Sequence, residues 1–297
     1  MVGNFSNSER IEVLRQALPY IKKYNGKVVV VKYGGNAMID ENLKQEVMAD
    51  IVLLWLIGIK VVVVHGGGPE ISDAMQRQGI QPKWVDGLRY TDEETMDIVK
   101  SVLAGKVNKG LVNMVQMHGG KAMGIAGMDG HLISAVQKDP SLGLVGEITG
   151  VNVEPLTVLL EHGYIPIVSS LGCDDAGNVY NINSDTAAAY IAGALKAERL
   201  VLLTDVNGLR RDVNDPDSLI PEISVEMARE MVDNGGVSGG MKPKLACCIK
   251  AIEEGTGNVI MLDGRVNHAV LMELLTDEGA GTLVRGRARQ KLVGLNA

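Results

Sequence analysis

The chain has 297 residues, enough for two ordinary domains or one large α/β unit. Hydrophobic residues make up 46% and charged residues 22%, which permits a substantial core and leaves little room for disorder. A net charge of −7 and an aromatic content of 3% exclude a basic, base-stacking partner surface for nucleic acid.

The N-terminal segment 8–24 reads as a helix. Ser8 can cap it, Ile11, Leu14, Leu18 and Ile21 fall on one stripe, and Pro19 should kink it. Periodicity leaves two readings open, a helix packed on a sheet edge or an amphipathic arm that docks on another subunit. Buried strands are expected at 27–32 (KVVVVK), 60–64 (KVVVV), 165–169 (IPIVS), 200–204 (LVLLT) and 258–262 (NVIML). Between them the spacing predicts helices near 41–57, 69–78, 92–103, 106–118, 154–162, 184–195, 224–233, 242–255 and 267–275. Residues 131–153, with Gly143, Gly146 and Gly150, read as antiparallel hairpin material. This alternation predicts an α/β fold with a mainly parallel sheet covered by helices on both faces. The division expected is 1–26, an oligomerisation helix, then lobes at 27–196 and 197–297.

Targeting signals are not evident. The apolar stretch 51–64 is interrupted by Lys60 and is shorter than the ~20 residues that cross a bilayer, so no membrane span is expected. MVGNFSNSER lacks the apolar region of a secretion signal. Cys173, Cys247 and Cys248 form no CxxC pair, which suits a reducing cytoplasm better than a zinc or disulfide framework. The histidines show no clustered spacing, and no protein-bound metal is expected.

Three glycine-rich turns carry the chemistry. Lys32 ends a buried strand just before Gly34–Gly35, and a second strand runs into Gly66, Gly67, Gly68 and Pro69. The third turn is GGMKPK, Gly239 to Lys244. Glycine lets a ligand approach open backbone N–H groups, and a helix N-terminus behind such a turn attracts anions. Each turn alone is ordinary punctuation of an α/β chain. Lys244 opposes the helix dipole by about 0.3–1 kcal/mol, so it asks for an anion. Lys242, two residues away, does not share its face. In NINSDTAAAY, Asp185 is explained by a well-made helix start, or else by holding two lysines in register, with Asn181 and Asn183 bonding substrate. Neither GxxxxGK[ST] nor GxGxxG occurs. Gly236-Val237-Ser238-Gly239-Gly240 fits the nucleophile-elbow pattern, with Asp263 and His268 following, but 223–234 reads as a helix where an elbow needs a strand.

KYGGNAM, VVVVHGGGPEI, DGLRYTD, NINSDTAA, LLTDVNGL and GGMKPKL, in this order, resemble the amino-acid-kinase family from about Lys27 onward, and within it the branch acting on N-acetyl-L-glutamate. The resemblance implies a three-layer αβα sandwich, ATP and Mg²⁺ held mainly by its phosphates, and transfer of the γ-phosphoryl to a side-chain carboxylate. It implies that Lys32 and Lys244 stabilise the transferring group, that Asp185 orients both, and that the N–H groups of Gly35 and Gly67 meet it. By the same resemblance Gly67, Gly68, Arg89, Asn181 and Asn183 bind acetylglutamate. Asp205, Val206, Asn207, Gly208, Leu209 and Arg210, with Gly236, Ser238, Gly239, Gly240 and Met241, bind nucleotide. Ser184 replaces a commoner Ala, and Tyr90 follows the arginine unusually. Residues 268–282 resemble the arginine-inhibited branch, whose extra N-terminal helix joins homodimers into a hexamer, a trimer of dimers. There His268, Glu273, Gly279 and Gly281 would line the L-arginine pocket. A PII-type signalling protein is left open as a partner. The basic tail, Arg285 to Lys291, reads as a solvated end.

Overall fold

The computed structural model describes residues 6–38, 40–212, 215–237, 239–277 and 279–286. Eight strands form one sheet in the order Glu222–Ser224, Gly281–Arg285, Asn258–Asp263, Arg199–Thr204, Val28–Tyr33, Lys60–His65, Ile165–Ser169 and Ala122–Ala126. Neighbours run parallel except Asn258–Asp263 against Gly281–Arg285. The expected α/β architecture is the one observed.

Side chains alternate across each strand, and the two sets enter two separate apolar layers. Val29, Val31, Val61, Val63, Val201 and Leu203 join the layer under helices Glu41–Leu56, Gly68–Arg77 and Ala269–Leu275. Val30, Val62, Val64, Leu200 and Leu202 join the one under Ser184–Ala194 and Met241–Glu253. A period of two with both faces covered is why these strands read as unbroken Val/Leu runs.

Several elements depart from expectation. Helix Asn7–Tyr24 is capped by Ser6, not Ser8; Ser6 and Glu9 form a reciprocal capping box. Its stripe is uncovered, with Ile11 60%, Leu14 70% and Leu18 61% exposed, so it is not packed down along a sheet edge. The two helices expected at 92–103 and 106–118 are one continuous run, because a π-helical stretch, Ser101–Val107, joins Glu93–Lys100 to Asn108–Met117 and carries Gly105 through. The hairpin material at 131–153 does pair antiparallel, Ile133–Gln137 with Gly146–Val151, inside a four-stranded second sheet. Arg285 is exposed, as expected of a solvated end, but it is held in the sheet. It closes the strand Gly281–Arg285 and forms a two-pronged ion pair with Glu222 at 2.5 and 2.6 Å. The rest of that basic tail, 287–291, lies outside the described residues. Among the described residues no helix is long and apolar enough to cross a membrane.

Candidate active site

The carboxyl ends of the parallel strands bring the glycine turns together, as ligand sites in open α/β sheets require. Lys32 lies one residue from the end of Val28–Tyr33 and is 7% exposed. Its ammonium lies against Gly34, where a Cβ would be 3.0 Å from Nζ, and pairs with Asp185 Oδ1 at 2.9 Å. Asp185 comes from the first turn of Ser184–Ala194, whose N-cap is Asn183; the Asn183 side-chain oxygen accepts from the Asp185 and Thr186 N–H groups. Burial pushes the Asp185 carboxyl up, but Lys32, and with it the charge of Lys244, outweighs this and holds it below the ordinary carboxylate value.

Lys244 lies in the first turn of Met241–Glu253 with no acid ahead of it in that turn. Its nearest carboxylate is Asp205, at 3.6 Å. Asp185 therefore contacts one of the two lysines directly and feels the other only through space. Lys242 is exposed beside it.

Helix Gly68–Arg77 begins with Gly67 as N-cap and no side-chain cap, so its first N–H groups stay open. A cavity of about 130 Å³ opens here, lined among others by Gly67, Gly68, Arg89, Asn181, Asn183 and Ser184. Arg89 is 5% exposed and donates from Nη2 to Gly68 O at 2.9 Å and Ser72 Oγ at 2.7 Å. The ring of Trp84 stacks on its guanidinium at 4.5 Å. Both sit on the hairpin Trp84–Val85/Leu88–Arg89, turned by Asp86 and Gly87 at φ 48 and 79°. No carboxylate of the described residues pairs with Arg89, and burial pulls it below its ordinary basicity. A buried guanidinium without an acid partner, facing a cavity, calls for an anionic ligand.

Gly35, exposed at φ 68°, starts a short 3₁₀ turn after Lys32. Asn181 donates to Thr91 Oγ1 at 3.2 Å. In the segment Asp205 to Arg210, Thr204 Oγ1 donates to Val206 O and accepts from Val206 N, while Arg210 Nε donates to Asn207 Oδ1 at 3.2 Å. Leu209 N donates to Thr282 Oγ1 at 2.8 Å. Gly208 takes φ 132° against that same hydroxyl, which leaves no room for a Cβ. Gly236, Gly239, Gly240 and Met241 lead into the Lys244 helix, and Ser238 lies outside the described residues. They follow helix Val225–Asp233, so the strand that a nucleophile elbow needs is replaced by a helix.

Residues 27–263 match the amino acid kinase family. The chain belongs to it. Acetylglutamate kinase of Thermoanaerobacter pseudethanolicus is 51% identical over 278 residues, 93% of each chain. Acetylglutamate kinase of Nostoc sp. is 48% identical over 282 residues, 95% of each. Among solved structures, N-acetylglutamate synthase from Neisseria gonorrhoeae, complexed with coenzyme A and N-acetyl-glutamate, superposes with a TM-score of 0.81 at 26% identity. That match covers 94% of this chain and 64% of the synthase. The chain is thus an enzyme of this family, with its glycine turns gathered at one end of its sheet.

In this amino-acid-kinase chain the residues expected to bind arginine lie elsewhere, near the N-terminal helix. His268, at φ 60°, bonds Asp50 Oδ1 through Nδ1 at 2.8 Å. Glu273 accepts from Ala280 N at 2.9 Å, and burial pushes its carboxyl up. Tyr20 of the N-terminal helix donates to Asp277. A Cβ on Gly279 would come within ordinary contact distance, 3.5 Å, of Glu273 Oε2. Gly281 has a packing cause of its own, since a Cβ there would collide with the Met261 carbonyl oxygen.

Sequence reasoning missed His65 and Asn108. His65 is fully buried at the end of its strand, directly before the Gly66–Gly68 turn. A histidine closing an otherwise Val-only strand was the available signal.

Proposed function

We propose that the protein transfers the γ-phosphoryl of ATP to the side-chain carboxylate of N-acetyl-L-glutamate, giving an acyl phosphate for arginine biosynthesis, and that arginine inhibits it. The observation that carries this reading is the buried, acid-free Arg89 in a small cavity beside the Lys32–Asp185 pair. Arg89 would clamp the α-carboxylate, with Gly67, Gly68, Asn181 and Asn183 around the substrate. The acceptor is already a nucleophilic carboxylate, so no general base is needed, and positioning plus preorganised cations lower the barrier. Lys32 and Lys244 would face the equatorial oxygens from opposite sides, and the N–H groups of Gly35 and Gly67 would complete the cradle. Asp185 offsets the repulsion between the lysines and keeps Lys32 aimed. Residues 205–210 and 236–241 would hold the nucleotide. Mg²⁺ would ride on the nucleotide and neutralise phosphate charge; among the described residues no group of three His, Cys, Asp or Glu is placed to hold it alone.

The uncovered stripe of the N-terminal helix supports a homodimer joined into a hexamer, and Glu273, His268 and Tyr20 beside it support an arginine pocket there. The reading places the enzyme in the cytoplasm and leaves a PII-type partner to be tried. An ADP-release assay with MgATP and, in turn, acetylglutamate, glutamate, aspartate, carbamate or UMP tests it, with and without arginine. Turnover with acetylglutamate alone supports the proposal, turnover with another acceptor replaces it by a sibling kinase, and arginine binding without turnover replaces it by a sensor.

A further inference from the structure

The strand Lys60–His65 delivers a histidine into the protein interior at the point where the chain turns into the glycines of the site. His65 has no solvent exposure. Its Nδ1 lies 2.8 Å from the carbonyl oxygen of Gly66, and its Nε2 lies 3.1 Å from Nδ2 of Asn108. Asn108 stands where the π-helical stretch ends, and its Nδ2 also donates to Ile167 O at 2.8 Å and Ile125 O at 3.3 Å. Lys109 donates to its Oδ1 at 3.1 Å. The amide orientation is therefore settled, with oxygen toward the ammonium and nitrogen toward the acceptors. Asn108 also fills the space that the missing side chain of Gly124 leaves in the edge strand.

A carbonyl oxygen can only accept, so the ring proton sits on Nδ1, where it donates to Gly66 O, and Nε2 is left as an acceptor facing Asn108 Nδ2. Burial, with the charge of Lys109, pushes the imidazole down to about 4, so it stays neutral through the working range. A peptide unit is planar and trans, so the Gly66 carbonyl and the Gly67 N–H point in opposite directions. Holding the carbonyl toward the core turns the Gly67 N–H outward, to the cavity that Gly66 and Gly67 line. Glycine at both positions makes this peptide free to rotate unless something holds it.

We propose that His65, locked by Asn108, is a positioning residue that fixes the Gly66–Gly67 peptide so that the Gly67 N–H faces the transferring phosphoryl. This rests on the reading of Gly67 as a phosphoryl donor. An N–H that forms its best bond only in the transition state acts on kcat rather than on substrate affinity.

Two substitutions separate the two ring nitrogens. His65→Asn keeps a donor near Nδ1, and His65→Gln keeps an acceptor near Nε2 but loses the bond to Gly66. Expected is a fall in kcat of about 10²-fold for His65→Gln with KM for both substrates nearly unchanged, and substantial recovery in His65→Asn. A purely structural histidine would lower the melting temperature of both variants and leave kcat of the folded fraction alike. Wild-type kcat in folded His65→Gln, or equal losses in both variants, overturns the proposal. If neither variant folds, Asn108→Ala, assayed below its melting midpoint, gives the same readout: a lower kcat at constant KM supports it, and an unchanged kcat overturns it. Wild-type protein inactive with acetylglutamate would defeat the proposed function instead, a result distinct from any of these.

Discussion

At the scale of single residues, two buried cations should report on different halves of the reaction. Lys32 has a carboxylate beside it in the resting protein, at 2.9 Å, and in the proposed reaction it would meet charge that develops on phosphorus oxygens. Arg89 has no such partner and is expected to take the fixed carboxylate of the substrate, which carries the same charge before and during transfer. An interaction made only in the transition state changes kcat, and one made equally in both states changes KM. Lys32→Ala should therefore lower kcat by ~10²-fold or more with a smaller change in KM. Arg89→Ala should instead raise KM for acetylglutamate by at least ~10-fold, the loss of a charge-assisted pair. Steady-state kinetics on both variants decide the matter, and an unchanged KM in the arginine variant removes its role.

At the scale of elements, what could be read from the sequence followed the strength of each pattern. Five strands stood out as unbroken Val/Ile/Leu runs and most helices by their apolar spacing, while Glu41–Leu56 and Ser184–Ala194, apolar on most sides, were legible by length and composition; Lys32, the Gly66–Gly68 turn and Asp185 sat at element ends where chemistry was expected. Ala122–Ala126 was missed because Gly124 breaks its apolar run, and Glu222–Ser224 because three residues show no period. The hairpin that carries Arg89 was overlooked although Asp86-Gly87 is its turn signal. The Lys244–Asp205 pair could not be foreseen, since tertiary geometry alone brings a turn and a helix start together. Gly281 shows how packing and function compete for one residue. It opens Gly281–Arg285, antiparallel to Leu262, with the Met261 carbonyl where a side chain would go. Gly281→Ala should accordingly destabilise the fold by about 1–3 kcal/mol in chemical denaturation. Full stability with only arginine response altered would assign this glycine to the pocket instead.

At the scale of the molecule, the region around the N-terminal helix ties distant parts of the chain together. His268, before Ala269–Leu275, reaches Asp50 at 2.8 Å and Glu46 at 3.6 Å on Glu41–Leu56. The Asp50 bond, ahead of the opposing effect of burial, raises the imidazole above its ordinary 6.5. A raised histidine stabilises the fold below that ordinary value and loses the contribution as pH rises through its folded value. The melting-temperature gap between wild type and His268→Gln should thus be widest below the ordinary value of 6.5 and narrow as pH rises above it; a constant gap means the charge plays no part. The helix Asn7–Tyr24 is anchored at its C-terminal end, through buried Tyr24, which accepts from Arg199 Nε at 3.1 Å, and through Tyr20 on Asp277. Its outer half presents Ile11, Leu14 and Leu18 to solvent, an apolar stripe that one chain cannot bury. Association of two such helices would cover it, and each helix would then link a subunit interface to the helix Ala269–Leu275 that carries Glu273 and to Asp277 just after it. Deleting residues 1–18, which removes the exposed stripe and spares buried Tyr24, should leave the sheet end that carries Lys32, Asp185, Arg89 and Lys244 intact. If the proposed hexamer and arginine inhibition hold for the full chain, light scattering should then report a dimer, with kcat retained and the inhibition abolished or its midpoint shifted. A truncated chain that still forms hexamers and is equally inhibited would detach this helix from both roles.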